Sequence, residues 1–292
     1  MIIDGHIHFG GYFNSCEKLL ASMDAAGIAK GVIVPFMFAR ENFLKYYDLP
    51  PWVMSTRIVQ KLIPQLLKSP LARKKYVLQP DHSAILQLRA KCPGRLWAFY
   101  WTNPNYPTDL AQLKNLIRQG NYAGIKLHQV IHPFRLRSRE IEELLDITNN
   151  YRLPVFIHLD SPEDCKEILA IAGENPRTNF IIAHLDYHTY WLESKAELAN
   201  VYYDISPVTE IKLQKIREVL KIRGSGRLVF GTDSPCAGGQ GYAVEKLKSL
   251  DISPHDLANI CYKNLLTLLN GVENCRISNE FLHENCKRKN NT

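Results

Sequence analysis

Ile2-Ile3-Asp4-Gly5-His6-Ile7-His8 opens the chain as a short apolar run closing on two histidines. It reads as a buried strand, and side chains two apart on a strand share a face, so His6 and His8 point the same way. Similar runs follow at residues 31–35, 96–101, 124–128, 154–158, 180–184, 201–204 and 228–231. They are rich in Val, Ile and Phe on both faces, as parallel strands covered by helices are. Amphipathic stretches fill the gaps: residues 15–26 (stopped by Gly27), 109–118, 138–149, 162–172, 189–198, 209–222 and 254–269. Eight strands alternating with helices is the count of a (β/α)8 TIM barrel, an α/β fold. An open doubly wound sheet would need a switch point, and no glycine-rich phosphate loop follows the first strand.

One connection breaks the rhythm. Between the second and third strands lie about 60 residues, far more than one helix needs. Residues 37–78 carry eight basic side chains against two acids, which is +6 of the net charge of +7. A barrel places a segment that follows a strand on the C-terminal face, so this insertion reads as a helical cap over the active-site end. The domain plan is one barrel over residues 1–270 with the 37–78 cap inside it, then a polar tail over 271–292. The aromatic residues of the insertion, among them Phe38, Phe43, Tyr46 and Trp52, read as the core of that cap.

Composition narrows the class. The chain has 292 residues, 46% hydrophobic and 22% charged, which excludes disorder and collagen-like repetition. No stretch reaches about 18 apolar residues, so no membrane-spanning helix is expected. The first residues lack the basic and apolar regions of a signal peptide. The seven cysteines include no CxxC pair; that argues against a disulfide framework and suits a cytoplasmic location.

Of ten histidines, His6, His8, His158 and His184 fall at the C-terminal ends of strands, and Asp233 follows the eighth. Each alone is weak: a His-x-His pair arises by chance, and Gly231-Thr232-Asp233 is an ordinary turn and helix cap. Together, at the catalytic end of strands 1, 5, 6 and 8, they form the imidazole and carboxylate set of a catalytic divalent metal with an open position for water. Zinc is the first choice, with manganese or iron as alternatives.

With these residues in place the chain resembles the amidohydrolase superfamily. The similarity lies with the amidohydrolase-related branch that includes aminocarboxymuconate-semialdehyde decarboxylase and many metal-dependent hydrolases. It runs from Ile3-Asp4-Gly5-His6-Ile7-His8 through Gly124-Ile125-Lys126-Leu127-His128, Val155-Phe156-Ile157-His158 and Ile182-Ala183-His184 to Gly231-Thr232-Asp233 and Asn259-Ile260-Cys261-Tyr262-Lys263-Asn264. The resemblance implies His6, His8 and His158 as metal ligands, with Asp233 as ligand and general base. His184 would bind a second metal or hydrogen-bond the water.

Lys126 sits in an otherwise apolar strand, where an unpaired ammonium is costly to bury. It reads as a partner for Asp233 or a substrate carboxylate, which gives one metal ion. The other reading is a carboxylated lysine bridging two, as in dihydroorotase-like relatives. His128, on the same face, is a candidate substrate contact, with a solvated loop histidine as the plainer reading. Arg40, Arg135 and Arg137 are candidates for gripping an anionic substrate, because guanidinium suits carboxylate. Asp4 is expected on the face of His6 and His8, but deeper. Asp204 is expected to orient a ligand or cap a turn, and His82, His255 and His283 to lie at the surface.

The leading expectation is hydrolysis of an ester, lactone or amide of a small carboxylated molecule. A non-oxidative decarboxylase would use the same ligands. A nuclease similar to the TatD group fits the charge, but those proteins carry glutamate where this chain has Lys126. Small-molecule substrate is therefore preferred over nucleic acid, no membrane partner is expected, and a homo-oligomer is left open.

Overall fold

The computed structural model describes residues 1–36, 69–71, 80–194 and 198–272. The expected cap over 37–78, with Arg40, lies outside the described residues apart from 69–71, and so does the tail beyond 272. Eight parallel strands pair in sequence order: β1 Ile3–Phe9, β2 Lys30–Pro35, β3 Leu96–Trp101, β4 Gly124–His128, β5 Val155–His158, β6 Phe180–Ile182, β7 Val201–Asp204 and β8 Leu228–Val229. Three backbone bonds of 2.8 Å return the end of the sheet to its start. Gly5 donates to Phe230 O, His8 to Ser234 O, and Asp233 to His6 O. The barrel expected from the alternation is borne out.

The helices among the described residues are α1 Cys16–Ala25, α2 His82–Lys91, α3 Pro107–Arg118, α4 Arg139–Tyr151, α5 Pro162–Glu174, α6 His188–Glu193, α7 Leu213–Arg223, α8 Gln240–Lys248 and α9 Pro254–Ala258. The last continues through a π-helical turn, Asn259–Lys263, into residues 264–272. Serine hydroxyls accept the orphan first-turn amides of α1, α4, α5 and α9, from Ser15, Ser138, Ser161 and Ser253. Helices α2 and α8 are not marked by the sequence pattern. In α2 only Ile85 and Leu88 are buried, too few to set a period.

The strands separate two apolar layers. Ile33, Ala98, Tyr100, Ile125, Leu127 and Ile157 pack outward with the helices. Val32, Phe99, Trp101, Phe156, Ile181 and Val229 fill the barrel, joined by Leu265, Leu268 and Leu269 of the final helix. Gly124 pairs with Phe99 across β3 and β4, and a Cβ there would meet the Phe99 ring at 2.5 Å. The missing side chain is what lets that ring lie in the barrel.

Strand β1 departs from simple alternation. Asp4 pairs with Gly31, but Ile7 pairs with Ile33, so three steps on β1 match two on β2. That is a β-bulge, one extra residue. Ile3 lies in the barrel cluster and Ile7 in the helix-facing one, so inside and outside exchange across the bulge. His6 and His8 gain the interior, whereas Asp4 does not share their face.

Cys16 and Cys92 are joined as a disulfide across 76 positions. Among the described residues it is the one cross-link, between the start of α1 and the end of α2, and runs against the expectation from the cysteine spacing. Cys165, Cys236 and Cys261 are free.

Candidate metal centre

Strand register assembles the site. Pairing of β3, β4 and β5 sets Trp101 beside Lys126, Lys126 beside Phe156, and His128 beside His158. Strand β6 ends early, at Ile182, because His184 and Leu185 adopt φ of 60° and 51°. Asp233 has φ 57°. Left-handed backbone at non-glycine residues costs on the order of 1–3 kcal/mol and persists where surroundings dictate it. Of these three, His184 and Asp233 carry their side chains to the histidine cluster, whereas Leu185 packs with the helix-facing core.

Each of the four strand-end histidines is held by Nδ1. His8 Nδ1 lies 3.3 Å from Pro35 O, His158 Nδ1 3.2 Å from Leu159 O, and His184 Nδ1 2.6 Å from Ser206 O. A carbonyl only accepts, so these rings carry their proton on Nδ1 and present a bare Nε2. His6 Nδ1 lies 3.0 Å from the Ser206 hydroxyl. Burial, then Lys126 and the other imidazoles, holds His6 well below its ordinary pKa, and His128 and His158 are depressed similarly, burial again leading. Neutral imidazole is the ligating form.

His8 Nε2 stands 3.2 Å from Asp233 Oδ1, and His6 Nε2 3.7 Å from the same oxygen. Burial works to raise the Asp233 carboxyl, but the His8 contact and the charges of His184, His8 and Lys126 outweigh it, so the group titrates below its usual range. A carboxylate and two bare imidazole nitrogens, all acceptors, converge within 4.8 Å of one another. Acceptors so close need a cation between them, and the residues present fit a divalent metal. A second trio, His6, His184 and Asp204, is equally tight. His158 belongs to neither; its ring meets that of His184 edge-on, with centroids 4.8 Å apart.

Lys126 is 1% exposed. Its ammonium sits 3.9 Å from the Phe156 ring centroid and 3.3 Å from His6 Nε2. Burial, opposed by the charges of Asp233 and Asp204, pulls it down to about 8. His128 lies flat between two rings, 4.1 Å from His158 and 5.6 Å from Trp101, within 7° and 5° of parallel. Its Nδ1 accepts from the Ile131 amide at 3.4 Å.

Other expectations land elsewhere. Arg137 makes two bonds to Glu174 of α5, at 2.5 and 2.8 Å, on the exposed face of the helix. Arg135 is exposed. Asp4 faces α8: it accepts from Thr232 N at 2.9 Å, Thr232 Oγ1 at 2.6 Å and Gln240 Nε2 at 3.0 Å. Burial raises its carboxyl to about 7. His82 is not a surface residue; it stacks on Tyr100 with centroids 3.8 Å apart. Ser206 is missing from the sequence expectations, although Asp204-Ile205-Ser206 places two polar side chains on one face just as His6-Ile7-His8 does.

The sequence profile of the family described as amidohydrolase matches residues 3–270. No curated protein matches the chain by sequence. Solved structures share its fold at low identity. A probable 2-pyrone-4,6-dicarboxylic acid hydrolase from Acinetobacter baumannii, crystallised with citric acid, aligns at 14% identity with TM-score 0.63, over 92% of this chain and 99% of that one. The 2,6-dihydroxybenzoate decarboxylase from Rhizobium aligns at 15% and 0.58, over 92% and 98%. A 4-oxalomesaconate hydratase from Rhodopseudomonas palustris aligns at 13% and 0.63, over 97% and 100%.

Proposed function

The chain belongs to the amidohydrolase family, and from that premise we propose a metal-dependent hydrolase acting on an ester, lactone or amide of a small carboxylated substrate. One observation carries the reading: His6, His8 and Asp233 turn acceptor atoms toward one shared point, with His8 Nε2 and Asp233 Oδ1 only 3.2 Å apart. His6, His8, His158 and Asp233 would hold the ion, zinc by preference. When bound, such an ion polarises a carbonyl and lowers the pKa of water toward neutrality.

The chain's own groups divide the remaining work. Asp233, kept ionised, takes the proton from the attacking water and returns it to the leaving group. His184, with Nε2 bare, accepts a hydrogen bond from that water. Lys126 supplies the buried charge nearest the histidines and faces the substrate carboxylate. Arg135 and Arg40 remain the arginines for a second anionic group. Trp101 and Phe156 keep Lys126 from bulk water, which strengthens its attraction for an anion.

A decarboxylase is the second reading. It is favoured by the likeness to the 2,6-dihydroxybenzoate decarboxylase fold and by a lysine suited to holding a carboxylate. Metal analysis beside an assay panel of lactones, esters and aromatic carboxylates tests both. About one divalent ion per chain, with lactone or ester cleavage, is the expected result. Release of carbon dioxide from aromatic acids would move the assignment to the second reading. Two ions, with the mass of one carboxyl group added to Lys126, would establish the bridged form. Titration of Cys16 and Cys92 in protein drawn directly from cells tests the cytoplasmic location: free thiols would support it, and the Cys16–Cys92 cross-link retained in that protein would argue against it.

A further inference from the structure

We propose that Ser206, steered by Asp204, fixes the proton of His6 on Nδ1 and thereby keeps its Nε2 open. Three of the four site histidines are held by main-chain carbonyls, which can only accept. His6 alone has no carbonyl and depends on a hydroxyl, 3.0 Å away, and a hydroxyl can donate or accept. Left to itself, Ser206 would permit either His6 tautomer. Asp204 removes the choice. Its Oδ2 takes a short bond from Ser206 Oγ, so the single hydroxyl proton is committed there and the oxygen accepts from His6 Nδ1. Ser206 and Asp204 are both fully buried, so no water competes for that proton. The other edge of His6 agrees: Lys126 Nζ, which can only donate, lies 3.3 Å from His6 Nε2.

Ser206 thus serves two rings by different atoms. Its carbonyl receives His184 Nδ1 at 2.6 Å and its hydroxyl receives His6 Nδ1 at 3.0 Å; the hydroxyl also stands 3.3 Å from His184 Nδ1, but the shorter carbonyl bond survives loss of the side chain. Replacing the side chain should therefore disturb one histidine and spare the other. Ser206 is a positioning residue, acting through His6. Its effect on metal affinity rests on the metal reading above, but its effect on the tautomer does not.

The test is long-range ¹H–¹⁵N correlation on the metal-free protein with ¹⁵N-labelled histidine. Signals are assigned by their loss in His6→Gln and His184→Gln. In the parent protein both rings should carry the proton on Nδ1. In Ser206→Ala, His6 should shift toward the Nε2–H form while His184 stays as it was. Zinc affinity, measured against a chelator, should fall about 10–100-fold, as it does when such supporting partners are lost. A parent spectrum with the His6 proton on Nε2 overturns the proposal even if the variant fails to fold. So does a Ser206→Ala spectrum with His6 unchanged, or with His184 shifted equally. The expected tautomers in a protein that binds no divalent ion would leave Ser206 its role and overturn the metal reading instead.

Discussion

Strand β3 has a buried cluster of histidine and carboxylate on each side, and the two are built differently. Inside, His6, His8 and Asp233 turn acceptor atoms toward a common point. Outside, between β3, α2 and α3, Asp109 is saturated. It accepts from Tyr100 OH at 2.5 Å, Thr102 Oγ1 at 3.0 Å and the Asn103 amide at 2.9 Å. His82 closes that cluster, stacked on Tyr100 with Nε2 3.0 Å from Trp101 O. Burial of titratable groups is common to both. What separates a site from a brace is whether acceptors are answered by donors or left facing one another.

The comparison makes claims in both directions. The largest effect is expected inside. Asp233→Asn keeps a ligand oxygen but removes the base, so turnover should fall by roughly two to four orders of magnitude while part of the metal is retained. His6→Ala should lose the metal altogether. Elemental analysis beside steady-state kinetics checks both, and an active Asp233→Asn enzyme would pass the role of base to His184.

The outer cluster should answer in stability instead. Asp109→Ala strands three donors, and unmade bonds of this kind cost about 1–3 kcal/mol each. A loss of about 4 kcal/mol in urea denaturation is expected, with kcat unchanged in the folded fraction. A fall in kcat at full folding would erase the distinction.

His82 sharpens it through pH. Burial lowers its pKa from 6.5 to about 4. The unfolded chain takes up that proton below about pH 6.5, and the folded one resists until about 4, so stability drains away as pH falls through this window. Linkage sets the loss at about 3 kcal/mol. His82→Phe keeps a ring on Tyr100 and should flatten this part of the profile, seen as a smaller stability difference between pH 7 and pH 4.5 than in the parent.

The smallest effect belongs to Arg137. Its fork with Glu174 is solvent-exposed, and such pairs contribute little. Arg137→Ala should leave both the melting curve and KM where they were. A raised KM for a carboxylated substrate alone would bring the arginine back to the site.

The barrel was legible because eight apolar runs at regular spacing have few other ways to bury themselves. The histidines and Asp233 were legible because they interrupt those runs at one end. Other features left no mark. A strand apolar on both faces hides the exchange of faces between Asp4 and Ile7. Ser206 carries no charge and no ligating reputation, and its role exists only once β7 stands beside β1. His82 reads as polar surface because Tyr100 and Tyr122, which enclose it, are distant in sequence. Arg137 could not be read at all: its partner is set by the seating of α5.

The bulge in β1 has a consequence for how this chain varies. The strand carries two phases, one ending at Asp4 and the other starting by Ile7, joined by one surplus residue. Deleting any residue between them would leave a regular ladder to β2 and an unbroken barrel wall. With Gly5 as the residue lost, Ile7 would still pair with Ile33 and face the helices, and His6 and His8 would still face the interior. Relatives lacking Gly5 would keep both the architecture and the facing of the two histidines, whereas the same residues laid out as a regular ladder, without the bulge, would turn His6 and His8 toward the helices; the histidine pair is tied to the bulge or to a one-residue gap in its place.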